Sequence, residues 1–135
     1  MITSRNISDL LPDVACKVLS WQEACKLRGL DVVVYCTYRD DDAQNALYAQ
    51  GRTKAGAVVT NAKGGYSAHQ YRRAVDFAIA VNGKLSWELH HISAAGELAE
   101  LHGLEWAGRW KSFKEYCHVQ DLGGLTIEQL RDSVK

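Results

Sequence analysis

RRAVDFAIAVNG, residues 72–83, carries more of the fold than any other stretch of the chain. From Arg73 to Val81 its residues alternate, so Val75, Phe77 and Ile79 share one face of a predicted strand. Asp76 falls on the opposite face, inside an apolar strand where a lone carboxylate is costly unless it is paired or holds a metal. Asn82-Gly83 closes the strand with a tight turn, which points to an antiparallel neighbour. Upstream, DVVVYCT over residues 31–37 is β-branched and aromatic, and its unbroken apolar run predicts a strand buried on both faces.

Helical spacing surrounds these strands. From Pro12 to about Arg28, Val14, Val18, Leu19, Trp21 and Cys25 recur at three- and four-residue steps, and Gly29 supplies a stop. Asp40 to Gln50 repeats the pattern through Ala43 and Leu47 up to Gly51. Residues 51–68, rich in Gly, Thr, Asn and Lys, read as a long loop of the kind that carries function. Ser86 is placed to cap a helix running to about His102, with Ile92, Ala95, Leu98 and Ala99 inward and Gly103 ending it. Short strands are predicted near residues 104–106 and 117–120, and Thr126 with Gln129 forms a capping box for a last helix. The expectation is an α+β fold: a single small domain over residues 1–135, with a central, mostly antiparallel sheet flanked by helices.

Composition narrows the function. The chain of 135 residues has 16 Lys plus Arg against 16 Asp plus Glu, a net charge of zero. That excludes a nucleic-acid binder driven by bulk positive charge. The longest apolar runs, residues 32–36 and 78–81, fall far short of the roughly 20 residues that span a bilayer. No apolar segment of a secretory leader follows Arg5, so synthesis in the cytoplasm is expected. Cys16, Cys25, Cys36 and Cys117 show no C-x-x-C pairing and read as free, buried thiols.

Five histidines are present. His90, His91 and His102 lie in the third predicted helix, where sequence neighbours point about 100° apart and cannot share one ligand face. Solvated or capping roles are expected for them. His69 and His118 differ, because each has a carboxylate at a suggestive distance: Asp76 follows His69 by seven residues and Glu115 precedes His118 by three. Two readings are open. Asp76 and His118 can satisfy each other in a core. Alternatively, His69, Asp76 and His118 form a three-ligand zinc set with an open position, leaving Glu115 as a general base. Cys117 is a further candidate thiolate, though as the neighbour of His118 in a strand it points to the other face.

The segment from Tyr38 to Gln120 resembles the L-alanyl-D-glutamate peptidases of phage endolysins and related bacterial cell-wall enzymes. These are zinc peptidases of the superfamily that includes D-alanyl-D-alanine dipeptidases and carboxypeptidases. The resemblance runs through TYRDDDAQNALYAQGRTKAGAVVTNAKGG, SAHQYRRAVDFAI and EWAGRWKSFKEYCHVQ. Ser67, His69, Ala74 and Asp76 match the family's Ser-x-His-x-x-Gly-x-Ala-x-Asp signature in register, and Glu115 and His118 match its second signature. The resemblance implies one zinc ion per chain, held by His69, Asp76 and His118 in a cleft on the sheet. It further implies Glu115 as catalytic base and Arg39 as the arginine that steadies the transition state.

Ser67 is then expected to support a ligand or touch substrate. Gln44 and Tyr48 either line the cleft or are ordinary helix positions. Three positions depart from the pattern: Arg72 stands at the family glycine, Arg109 at an Asp, and Cys117 at a proline. Arg72 and Arg109 are candidate modifiers of the site: an arginine at the glycine position strains the loop or fills the cleft, and added cations weaken metal binding or attract substrate carboxylates.

The implied activity is hydrolysis of the L-Ala–D-Glu bond in peptidoglycan stem peptides during host-cell lysis. The partner is peptidoglycan, with no nucleic acid and no membrane insertion, and the protein is expected to be a monomer. It would reach the wall after release by a holin-type helper. A D,D-carboxypeptidase or dipeptidase acting on D-Ala-D-Ala ends, and a catalytically weakened wall-binding protein on the same fold, are the alternatives.

Overall fold

Trp21 and Phe77 meet edge to face at the centre of the molecule, ring centroids 4.9 Å apart, and the layers are organised around that contact. A computed structural model describes residues 1–134. Its helices are α1 (Pro12–Lys26), α2 (Asp41–Ala49), α3 (Leu89–Leu101) and α4 (Ile127–Ser133), and its strands are β1 (Asp31–Cys36), β2 (Ala74–Val81), β3 (Lys84–Ser86), β4 (Glu105–Trp106) and β5 (His118–Gln120). All pairings are antiparallel, in the order β1-β2-β5-β4, with β3 on the outer half of β2. The expected α+β fold is therefore present, as one small domain with an open antiparallel sheet.

The two faces of β2 divide the molecule. Val75, Phe77 and Ile79 are fully buried against Val14, Val18, Trp21 and Cys25 of α1 and against Ile92, Ala95, Leu98 and Ala99 of α3. The Trp21 Nε1 donates to the Ala95 carbonyl at 2.8 Å, so the largest core ring also leaves no polar atom unpaired. Gly96 lets α3 approach the sheet, since a Cβ there would lie 2.2 Å from the Trp106 ring. Asp76 faces the other way, in register with Cys36 on one side and His118 on the other.

Several expectations are corrected. β1 is not buried on both faces: it is an edge strand whose residues alternate, with Val33 43% and Tyr35 41% exposed. An unbroken apolar run does not distinguish these cases, because only the sheet's partners decide which face is covered. Leu19 points to solvent, off the α1 stripe. Asn82 (φ 52°) and Gly83 (φ 78°) both adopt left-handed conformations, the two-residue hairpin turn that β2 predicted. The turn leads into β3, a strand that sequence reading missed. Ser86 thus ends β3, and Glu88 holds the N-cap position of α3. All four cysteines are free, but only Cys25 and Cys36 are buried; Cys16 is exposed and Cys117 half-buried.

Candidate metal centre

Thr37 and Arg39, just past the end of β1, a 3-10 turn over Ala68–Tyr71, and the facing residues of β2 and β5 converge on Asp76. Asp76 Oδ1 lies 3.1 Å from His69 Nε2 and 3.0 Å from His118 Nδ1. The far nitrogen of each ring is already committed. His69 Nδ1 is 2.7 Å from the Thr37 carbonyl, which only accepts, so Nδ1 carries the hydrogen. His118 Nε2 is 2.7 Å from Gln120 Oε1. The Gln120 amide is oriented by its own nitrogen, which donates to Glu105 Oε1 at 3.3 Å, and the other Glu105 oxygen accepts from Trp110 Nε1 at 2.8 Å. Both rings thus turn their remaining nitrogen toward one carboxylate oxygen.

This donor set fits zinc. Adjacent ligands around a tetrahedral ion with bonds of about 2.0–2.1 Å stand about 3.3 Å apart, close to the distance from each histidine nitrogen to Asp76 Oδ1. The two histidine donors stand farther from each other and would draw together on an ion. Burial opposes charge on both His69 and Asp76, yet their mutual attraction wins: the imidazole is shifted to higher pKa and the carboxyl is held far below the usual range. A divalent cation replaces that shared proton with greater charge.

The cleft donors whose ligand atoms all lie within 4.8 Å of one another are Cys36, His69 and Asp76, without His118. Cys36 Sγ, however, approaches the Nδ1 edge of His69 at 3.7 Å, where Thr37 is bound, and accepts from Arg39 at 3.3 Å. It stands behind the ring rather than beside His118. Cys117 packs against the core cluster and does not join the grouped donors.

The donors open into a cleft of about 830 Å³, walled by Tyr35, Trp110, Phe113 and Tyr116 and by Val59 to Ala62 of the long loop. Glu115 lines it. Burial and the charge of Asp76 lift its carboxyl above the ordinary range, against the pull of His118, His69 and Arg39. Arg39 is buried; it donates to Asp76 Oδ2 at 2.9 Å and to Gln44 Oε1 at 2.8 Å, and its Nε is left without a partner. Gln44 also lines the cleft and donates to the Ala62 carbonyl at 2.7 Å, tying α2 to the loop. Ser67 caps the 3-10 turn, accepting from the His69 backbone at 3.3 Å.

Three expected residues lie elsewhere. Tyr48 turns away from the cleft under the guanidinium of Arg52, 3.8 Å from its ring, and Leu47 lines the wall instead. Arg72 adopts the left-handed conformation (φ 61°) that a glycine accepts without strain. Its side chain leaves the cleft, donating to the Asp9 carbonyl at 2.9 Å and stacking on Tyr38 at 4.1 Å. Arg109 is paired with Glu100 at 3.0 Å on the surface. Neither arginine fills the site. Sequence reading missed Thr37, Gln70, Glu105, Trp110 and Gln120. Gln70 left a signal, since Ser67-x-x-Gln70 is a capping box, and here it completes one while also donating to the Arg39 carbonyl. Gln120 left one too, two residues from His118 on one face of a predicted strand.

The chain resembles known peptidases in sequence and in fold. Residues 60–121 match the family of peptidases described as D-alanyl-D-alanine carboxypeptidase. The chain is 37% identical over 123 residues to the peptidoglycan L-alanyl-D-glutamate endopeptidase CwlK of Bacillus subtilis, covering 84% of this chain and 74% of that protein. Its fold matches that of the L-Ala D-Glu endopeptidase ChiX of Serratia marcescens with a TM-score of 0.66 at 19% identity, over 96% of this chain and 92% of that one. It also matches the vancomycin-resistance D,D-pentapeptidase VanY solved with Zn(II), with a TM-score of 0.64 at 18% identity, over 89% of this chain and 82% of that one.

Proposed function

The chain belongs to the D-alanyl-D-alanine carboxypeptidase (M15) family of peptidases, and from that premise we propose that it is a zinc-dependent endopeptidase cleaving the L-Ala–D-Glu bond of peptidoglycan stem peptides. The observation that carries the reading is the convergence of His69 Nε2 and His118 Nδ1 on Asp76 Oδ1, with each ring's other nitrogen anchored. His69, Asp76 and His118 would hold the ion. Zinc at such a site supplies Lewis acidity, which acidifies water and polarises the scissile carbonyl.

Glu115 takes a proton from the attacking water. Its raised pKa brings the base nearer to neutrality, where proton transfer in both directions is efficient. The same carboxyl then delivers that proton to the amine of D-Glu as the C–N bond breaks. Arg39 fixes Asp76 through Oδ2 and places a full positive charge beside the oxygen on which negative charge develops. Gln44 and Ser67 act as positioning residues, for Arg39 and for the His69 turn respectively.

The test is a mass-spectrometric digest of purified peptidoglycan by the zinc-loaded protein, with a chelator-treated control. Fragments carrying D-Glu at a new amino end, absent with chelator, are expected. Release of D-Ala instead would move the activity to D,D-carboxypeptidase, a reading that the family description favours. The third reading, a weakened wall-binding protein, keeps only the left-handed backbone of Arg72 as its motive, since the side chain points away from the cleft.

An endolysin role belongs to the same proposal, with the protein acting as a monomer and reaching the wall through a holin-type helper. Co-expression with such a helper is expected to lyse cells, and Glu115→Gln to abolish that lysis.

A further inference from the structure

A second set of donors lies outside the cleft, where the β2–β3 hairpin leads into α3. Ligand atoms of Glu88, His90 and His91 all fall within 4.8 Å of one another. Glu88 Oε2 is 3.3 Å from His90 Nε2 and 3.9 Å from His91 Nδ1, and the two rings stand 4.1 Å apart. His90 and His91 are successive residues of α3, and their rings lean together while Glu88, at the N-cap, reaches both from outside the helix. Glu88 has an extended backbone (φ −68°, ψ 129°) and its side chain makes no capping hydrogen bond, so its carboxylate is free to turn toward both rings.

We propose that Glu88, His90 and His91 form a second site for a divalent transition cation such as zinc. Imidazole and carboxylate together suit zinc, nickel and copper. The Glu88–His90 spacing equals the separation of adjacent ligands on a tetrahedral ion, about 3.3 Å, and His91 needs only a small ring movement to match it. The site is weaker than the cleft for stated reasons. Glu88 and His90 are 64% and 72% exposed, so both stay solvated and mobile until an ion holds them. The positive end of the α3 dipole opposes a cation, and the Glu88 charge offsets it. His91 Nδ1, the donor that faces Glu88, also lies 2.6 Å from Ser86 Oγ, so an ion taking that nitrogen displaces the hydroxyl and binds more weakly for it. An ion there ties the end of β3 to the start of α3 and stabilises the fold by mass action.

Equilibrium dialysis of the zinc-loaded protein against rising free zinc, with bound metal counted by elemental analysis, tests this. Two equivalents are expected, the second roughly a hundredfold weaker and half-filled at micromolar zinc. The double variant His90→Ala/His91→Ala should lose the second equivalent, keep the first and digest wall normally. Glu88→Gln should weaken the second about tenfold while leaving both histidines in place. His118→Ala should lose the tight equivalent and retain the weak one, so failure at the cleft and failure here are separable. Uptake of a single equivalent by the wild type up to about 100 μM zinc, or a second equivalent that survives in the double variant, overturns the proposal.

Discussion

Two groups of one carboxylate and two histidines present the same donor chemistry, one on the floor of the cleft and one at the entrance to α3. In the first, His69 is 2% and His118 5% exposed, and each ring is fixed from behind, by Thr37 and by Gln120. In the second, His90 is 72% exposed and Ser86 contacts His91 at Nδ1, the nitrogen an ion would take, so that ring is not held from behind. Donor identity is therefore not what separates a tight site from a loose one. The difference lies in the groups that set each ring's orientation and tautomer before any ion arrives.

The largest consequence is at the ligands themselves. His69→Ala or His118→Ala should remove the tight zinc and all chelator-sensitive wall digestion; stoichiometric tight zinc retained in either, measured by elemental analysis, would exclude that ligand. Next comes Glu115→Gln, which should keep full zinc and lose about 10²- to 10⁴-fold in turnover, the usual worth of a general base. Unchanged turnover would take Glu115 out of the mechanism.

The contrast between the two groups is probed most directly by Gln120→Leu. It removes the acceptor behind His118 without touching a donor, and should weaken tight zinc binding by about 10- to 100-fold, with unchanged circular dichroism. Competition with a chromogenic chelator reads this out, and zinc affinity equal to wild type would mean that the anchoring bond is idle. Smallest of all is Arg72→Gly. Relief of left-handed strain is worth about 1–2 kcal/mol, partly offset by losing the stack on Tyr38 and by glycine's unfolded-state entropy. A net change of about 1 kcal/mol or less is expected in denaturant titration, with turnover unchanged; a large gain in activity would restore Arg72 as a modifier of the site.

Legibility in the sequence followed locality. β2, the Asn82-Gly83 turn and the Thr126 capping box depend on neighbours in the chain, and the structure has them. The exposure of β1 was not legible, because an apolar run reads alike at the edge and the centre of a sheet. β3 is three residues long and too short for periodicity to register. At the site, His69, Asp76, His118, Glu115 and Arg39 stood out through motif spacing and resemblance, and the structure brings all five to one cleft. The partners behind the rings carry no such mark. The Thr37 contribution is a backbone carbonyl, which any residue offers. Gln120, two residues after His118 on the same face of a predicted strand, was within reach of the alternation argument but was not read from it.

By itself the sequence determined the donor inventory and its local order: a carboxylate on the polar face of an apolar strand, a histidine seven residues before it, and a Glu–His pair near the C-terminal end. Alternation and motif spacing are properties of the chain, and they survive without coordinates. Tertiary structure alone decided which nitrogen of each histidine faces Asp76, that Arg72 and Arg109 turn away, and that Glu88, His90 and His91 meet. Each of those outcomes depends on side-chain direction relative to a distant or folded-back partner, and a one-dimensional pattern holds no angle from which to read it.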